Sequence, residues 1–180
     1  SNNTANGMNG GKLGVADGAK VIANGNASNG IAAVVAAGNN TTIDVTNNGK
    51  RGLTLYGGTE LSDNAKVNAT GNQKNDIEIN NGDDNVVTIC GSATVTAGTM
   101  AGHDGSETAK GRDKVVVVNG SGVVIEVKQP VTGEVGEENT TEALFNKKGE
   151  SADTRENGVV ILGKEGTVHG TVSGQIDLPA

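Results

Sequence analysis

The chain has 180 residues, a net charge of -7 from 21 acids against 14 bases, 29 glycines and an aromatic content of 1%. The acidic balance and the want of stacking platforms argue against nucleic acid as a partner. Tyr56 and Phe145, with no Trp, are too few rings for a conventional sandwich core. With 34% apolar residues the composition borders on that of disordered chains, but the charge is modest and the apolar residues recur in register.

Residues 1–11 are rich in Asn, Gly and Ser and carry no strand-length apolar run, so they are expected to be a loose lead-in. From there the chain repeats itself. Ala16-Asp17-Gly18-Ala19-Lys20-Val21-Ile22-Ala23-Asn24-Gly25-Asn26 returns 46 residues later as Ser62-Asp63-Asn64-Ala65-Lys66-Val67-Asn68-Ala69-Thr70-Gly71-Asn72. Asn29-Gly30-Ile31 returns as Asn75-Asp76-Ile77 at the same offset. Self-similarity of this kind marks a solenoid, in which one backbone path winds about an axis and each turn rests on the last. Apolar positions halve the period: Val21, Val45, Val67 and Ile89 are expected to form one row, and Ile31, Leu53 and Ile77 another, at spacings of 22 or 24 residues. The 46-residue repeat is then two coils of an all-β, single-stranded parallel β-helix.

The strands read as Thr42-Ile43-Asp44-Val45, Gly52-Leu53-Thr54-Leu55, Asp76-Ile77-Glu78-Ile79 and Val86-Val87-Thr88-Ile89, short and alternating. Asn24-Gly25, Asn29-Gly30, Asn48-Gly49 and Asn81-Gly82 punctuate them as turns, and the same Gly and Asn penalise helix. Stacked Asn at equivalent bends, such as Asn24 above the region of Thr70, are expected to form side-chain ladders. Regular coils are expected over 13–100, with Gly91-Ser92-Ala93-Thr94-Val95-Thr96-Ala97 a partial third echo. A polar excursion runs from Gly98 to Lys114. Val115 to Val118 and Val123 to Val127 then make either another coil or a hairpin across Asn119-Gly120. In 131–157, Thr140 or Thr141 is expected to cap a short helix through Glu142-Ala143-Leu144-Phe145. Strands return at Gly158 to Leu162, Thr167 to His169 and Val172. Residues 12–180 are therefore expected to be one solenoid domain, regular over 13–100 and less regular, with excursions, over 101–180. An open solenoid end is an exposed strand edge, so a cap or neighbouring coils of a longer parent chain are expected to cover it.

The Gly-Ala-Lys-Val and Asn-Gly-Ile phrases, recurring on strand and turn over about 13–100 and weakly over 113–127, resemble the passenger domains of bacterial autotransporters and related filamentous adhesins. These belong to the pectin-lyase-like right-handed parallel β-helix superfamily. The resemblance implies a right-handed winding, a secreted or bacterial cell-surface location, and a non-catalytic adhesin or stalk that meets a host-surface protein or glycan. It also allows a carbohydrate-active enzyme, a polysaccharide lyase or glycoside hydrolase. The chain is short and has no recognisable translocator region, which suggests a piece of something larger. No signal peptide and no bilayer-length apolar run is evident, so a secreted chain is expected to have lost its targeting segment and this segment is not expected to enter a membrane.

Hydrolysis needs facing carboxylates about 5 to 9 Å apart. Asp44 with Glu78, or Asp83 with Asp84, are the candidates that neighbouring coils bring near one another, against the plainer reading of surface acids. Asp76, Asp83, Asp84 and Asn85 offer oxygens for calcium, against solvated turn acids; the Gly-rich nonapeptide of calcium-binding rolls is absent. Cys90 is alone in the sequence, and His103 and His169 lie in divergent stretches, so it reads as a small packed side chain rather than a nucleophile. Asn26-Ala27-Ser28, Asn39-Asn40-Thr41 and Asn68-Ala69-Thr70 match the glycosylation triplet, as chance allows in so Asn-rich a chain. Thr94-Val95-Thr96 matches the threonine pairs of ice-binding solenoids, but one pair is no array. No catalytic, cofactor-binding or metal residue is assigned, and no cofactor is expected.

Overall fold

The computed structural model describes residues 3–80, 86–102, 114–119, 122–127, 134–135, 142–144, 159–163 and 169–172. Successive windings carry β1 (Met8–Val15) and β2 (Lys20–Ile22), then β3 (Ile31–Ala37) and β4 (Thr42–Thr46), then β5 (Leu53–Tyr56), β6 (Glu60–Leu61) and β7 (Lys66–Thr70). β8 (Ile77–Asn80), β9 (Val87–Cys90) and β10 (Thr94–Ala97) follow, then β11 (Met100–Gly102), β12 (Lys114–Asn119) and β13 (Val124–Val127). β14 (Glu134–Val135) and β15 (Glu142–Leu144) leave the winding, and β16 (Val159–Gly163) and β17 (His169–Val172) resume it.

The wound strands pair only in parallel, as one continuous path requires, and form a single-stranded parallel β-helix with excursions. Strands β17, β13, β10, β7, β4 and β2 make one six-stranded sheet, and the remaining strands the other. β3 serves two walls at once: Ile31 to Ala33 pair with Leu53 to Leu55 of β5, and Ala36 and Ala37 pair with Glu60 and Leu61 of β6. A turn closed by the Thr59 N–H on the Tyr56 carbonyl at 3.2 Å splits in this coil what is one strand in the coil before. The turn takes a ladder acceptor away from Val35, and the buried Thr59 hydroxyl restores it by accepting from the Val35 N–H at 3.0 Å.

Inward side chains stack in columns. Met8, Ile31, Leu53, Ile77 and Met100 are in register on one wall, as are Val21, Ile43, Val67, Val95 and Ile125 on the six-stranded sheet. Nearly all are buried, and burying each Ile or Leu is worth about 1.5 to 3 kcal/mol, so the core is assembled coil by coil. The row Ile31, Leu53, Ile77 stands as expected. The other expected row does not: Val45 pairs with Ala69 and Ile89 with Leu61, so neither lies in the column of Val21 and Val67. Ile43 and Val45 both point inward, and a slip of two residues preserves that alternation, which therefore cannot reveal it. The 46-residue echo is nevertheless two coils, because Lys20 pairs with Thr42 and Thr42 with Lys66.

Other expectations are corrected. β1 begins at Met8, inside the stretch expected to be lead-in, and the excursion after Gly98 is interrupted by β11, which pairs with β8. β12 and β13 lie in different sheets, so they are successive walls of a coil and not a hairpin. Glu142 to Leu144 is strand, not helix: β15 pairs antiparallel with both β14 and β16. Helix nucleation is costly for so few residues, and the open edge of β16 offers backbone partners at once. Phe145 lies outside the described residues.

Two kinds of turn recur. A tight bend before the six-stranded sheet is closed by Ala19 N–H on Ala16, Thr41 on Gly38, Ala65 on Ser62 and Ala93 on Cys90 carbonyls. The bend after that sheet spans six residues, 25–30, 47–52 and 71–76, and opens on a left-handed residue each time: Gly25 at φ 66°, Asn47 at 56° and Gly71 at 71°. Asn follows in all three cases, and these asparagines form a ladder. Asn26 donates from Nδ2 to Asn48 Oδ1 at 2.7 Å, and Asn48 from Nδ2 to Asn72 Oδ1 at 2.8 Å; the backbone N–H of each donates to the same oxygen. Asn3 donates to Asn26 in the same way. The ladder expected at Asn24 thus lies two residues further on, while Asn24 Oδ1 accepts from the Thr46 N–H at 3.1 Å. The sixth turn position is Gly30 and Gly52, then Asp76. A methyl group on Gly52 would stand 2.4 Å from Asn72 Nδ2 and 2.5 Å from the Asp76 carbonyl, so the ladder leaves no room there.

Candidate functional site

The outer face of the six-stranded sheet presents one residue per coil in each of two rows. Lys20, Thr42, Lys66, Thr94 and Val124 occupy one row, and Ile22, Asp44, Asn68, Thr96 and Glu126 the next; on β17 the backbone of His169 pairs with Val124 and that of Thr171 with Glu126. Parallel strands about 4.8 Å apart set the spacing along each row. Lys20 and Asp44 form an ion pair at 2.5 Å, and Ile22 beside them is 51% exposed, an apolar tip in a polar field. The residues of this face between Thr42 and Glu126 are half-buried or exposed, so their polar groups are offered outward without protruding far.

A shallow cleft of about 300 Å³ opens on the other sheet, lined by Lys12, Ala36, Ala37, Gly38, Gly58, Glu60 and Ser62 from three consecutive coils. Its floor is shallow because the outward positions carry glycine or alanine. Its basic wall depends on a bulge. Asn9 pairs with Ala32 but Lys12 with Val34, the extra residue being absorbed at Gly10 and Gly11, which sit at φ 82° and 77°. In unbroken register Lys12 would face Val35, whose side chain points inward; the bulge turns Lys12 out and Leu13 in. Among the described residues the ion pairs are Lys20 with Asp44 and Arg51 with Glu78, so Lys12 and Glu60 both face the cleft without one. Neither this cleft nor the bulge was read from the sequence; the Gly10-Gly11 pair ahead of Lys12-Leu13 was the available signal.

The carboxylates singled out in the sequence separate. Asp44 stands on the six-stranded sheet, whereas Glu78, at 0% exposure, lies on β8 of the other sheet. Glu78 Oε2 accepts from Arg51 Nε at 2.7 Å and from Asn75 Nδ2 at 3.1 Å. The pair expected to face one another therefore does not, because the coil's corner lies between them. Asp76 is no solvated turn acid: at 4% exposure, Oδ1 accepts from the Asn72 N–H and Nδ2, and Oδ2 from the Thr99 N–H and hydroxyl. Its oxygens are thus committed to the fold rather than to calcium. Asp83, Asp84, Asn85 and His103 lie outside the described residues. Among the described residues no three of His, Cys, Asp and Glu gather closely enough to hold a metal ion.

Cys90 ends β9 half-buried, on the outward side. Burial pushes its thiol up from the ordinary value, and the Glu60 and Asp63 carboxylates add to the shift. This opposes thiolate formation, hence nucleophilic chemistry. No helix among the described residues is long and apolar enough to cross a membrane.

Comparison with protein-family models, with curated proteins and with solved structures finds no match in any of the three. The chain is a β-solenoid scaffold capable of surface interactions.

Proposed function

We propose that the chain is a non-catalytic surface module, an adhesin or stalk secreted by or displayed on a bacterial cell, which meets host or glycan surfaces through the six-stranded sheet. The observation that supports this is the pair of outward rows, in which each coil from β4 to β10 places a Thr or Lys in the first row and an Asp, Asn or Thr in the second on a flat face. Flatness suits an extended partner, and hydroxyls, amides and charges at a repeated spacing suit a polymer of repeated polar units. Each contact is weak alone, and many engaged together give avidity. The dispersal of Asp44 and Glu78 removes the one carboxylate pair from described coils that favoured the carbohydrate-active alternative.

The test is binding to immobilised glycans and host-matrix proteins, with Lys66→Glu/Asn68→Ala/Thr96→Ala as the face variant and circular dichroism as the check on folding. Selective retention by the wild-type protein, lost in the variant, supports the reading. Equal retention of both, or release of new reducing ends or unsaturated products from a bound polysaccharide, overturns it. Antibody labelling of the producing cells before and after permeabilisation tests the location.

A further inference from the structure

Among the described residues four Asn-Gly pairs lie in the turns of the wound coils, and the same constraint holds all four; Asn9-Gly10, exposed at the bulge of β1, stands apart from them. The attacking nitrogen in asparagine deamidation is the backbone N of the following glycine. Here Gly7 N–H donates to the Asn29 carbonyl at 2.9 Å, Gly25 to Thr46 at 3.2 Å, Gly30 to Arg51 at 2.9 Å and Gly49 to Asn26 at 2.8 Å. The asparagine side chains are held as well: Asn6 Oδ1 accepts from Asn29 N–H, Asn24 Oδ1 from Thr46, Asn29 Oδ1 from Arg51 and Asn48 Oδ1 from Asn26. Every one of these bonds crosses from one coil to the next. Wound, the chain is protected at these four pairs; unwound, it is not.

Asn48 differs from the others in what its amide gives. Its Nδ2 donates to Asn72 Oδ1 at 2.8 Å and to the Ala23 carbonyl at 2.9 Å, and the residue is 1% exposed. We propose that Asn48-Gly49 is a conditional modification site, silent while the coils are stacked and deamidated when they open, and that its conversion prevents the coils from closing again.

The chemistry needs only water. In the opened chain the Gly49 nitrogen gives its proton to solvent and bonds to Asn48 Cγ. The Cγ–Nδ2 bond then breaks, and ammonia leaves with the amide hydrogens and a solvent proton. Water opens the resulting succinimide at either carbonyl, leaving aspartate or isoaspartate at position 48. Either product sets a carboxylate against Asn72 Oδ1 and the Ala23 carbonyl, acceptor against acceptor in a buried site. Isoaspartate also lengthens the backbone by one carbon, which the register cannot absorb.

The full chain is incubated at mildly alkaline pH, folded and in guanidinium, with peptide mass mapping and isoaspartate labelling at each pair. Conversion at Asn6, Asn24, Asn29 and Asn48 is expected to be roughly a hundredfold slower in the folded protein, as for a reaction that must await an opening. Samples aged in denaturant and then diluted are expected to lose refolding in step with conversion at position 48; among chains that carry aspartate rather than isoaspartate, those converted at 24 or 29 should still refold. Asn48→Asp should refold poorly, whereas Asn29→Asp keeps its acceptor and should refold normally. Equal rates in folded and denatured protein overturn the protection. Full refolding of chains converted at position 48, or of Asn48→Asp, overturns the closure block.

Discussion

Asp76→Asn exchanges one oxygen for an NH₂ on a side chain that takes four hydrogen bonds, at 2.9 and 2.7 Å from Asn72 and at 2.9 and 3.3 Å from Thr99. Whichever way the new amide turns, its NH₂ meets an N–H. Facing Asn72 it loses two donors. Facing Thr99 it loses only the backbone N–H, since the hydroxyl can rotate and accept, so this is the cheaper arrangement. The cost is then one bond to a charged acceptor and the charge assistance of the Asn72 pair, together about 2 to 4 kcal/mol. With a guanidinium slope of roughly 2 to 6 kcal/mol per molar, the unfolding midpoint should fall by roughly 0.3 to 2 M. Far-UV circular dichroism against guanidinium measures it. Asp44→Asn is the control: its partner Lys20 is 54% exposed, and exposed pairs contribute at most about 1 kcal/mol. An Asp76→Asn curve that superposes on the wild type, or an Asp44→Asn shift as large, would refute the reasoning.

Gly52→Ala, whose new methyl meets Asn72 Nδ2 at 2.4 Å, should destabilise by about 1 to 3 kcal/mol in thermal melts, while Gly14→Ala, with nothing within 4 Å, should be near neutral. Leu53→Ala opens a cavity between Ile31 and Ile77 and should cost about 2 to 5 kcal/mol by the same measurement, lowering the melting temperature without changing the sheet signature. Cys90, its thiol pushed up by burial and by Glu60 and Asp63, should be alkylated by iodoacetamide more slowly than a free cysteine at mildly alkaline pH. Glu60→Gln lowers that thiol's pKa and should speed the reaction; an unchanged rate counts against the electrostatic part of the cause.

The winding was legible in the sequence because it depends on what repeats: the apolar column of Ile31, Leu53 and Ile77 keeps a spacing near two dozen residues. Register on the six-stranded sheet was not. Val67 pairs with Val95, 28 residues on, and Val95 with Ile125, 30 on, so a fixed period loses the column where the connections lengthen. Between β5 and β6 lie residues 57–59, but between β8 and β9 lie 81–86. The ladder was legible in kind and missed by two residues, though Asn3, Asn26, Asn48 and Asn72 each stand four before the last turn position. Glu78 and Asp76 were misread because a turn or strand acid looks exposed until the neighbouring coil supplies Arg51 or Thr99. Chemistry of this sort arises between coils, and no single stretch of sequence contains it.

The amide column also has a direction. Each rung from Asn3 to Asn48 sends its backbone N–H and one amide N–H to the asparagine of the later coil, and Asn72 sends its own pair to Asp76, so along this row the small dipoles add and the positive end points at Asp76. An anion at that end has the electrostatic standing of an acidic residue at a helix N-terminus, with polarised amides reinforcing one another along the axis. The solenoid, which has no helix among its described residues, thereby recovers a helix's axial polarity from side chains alone.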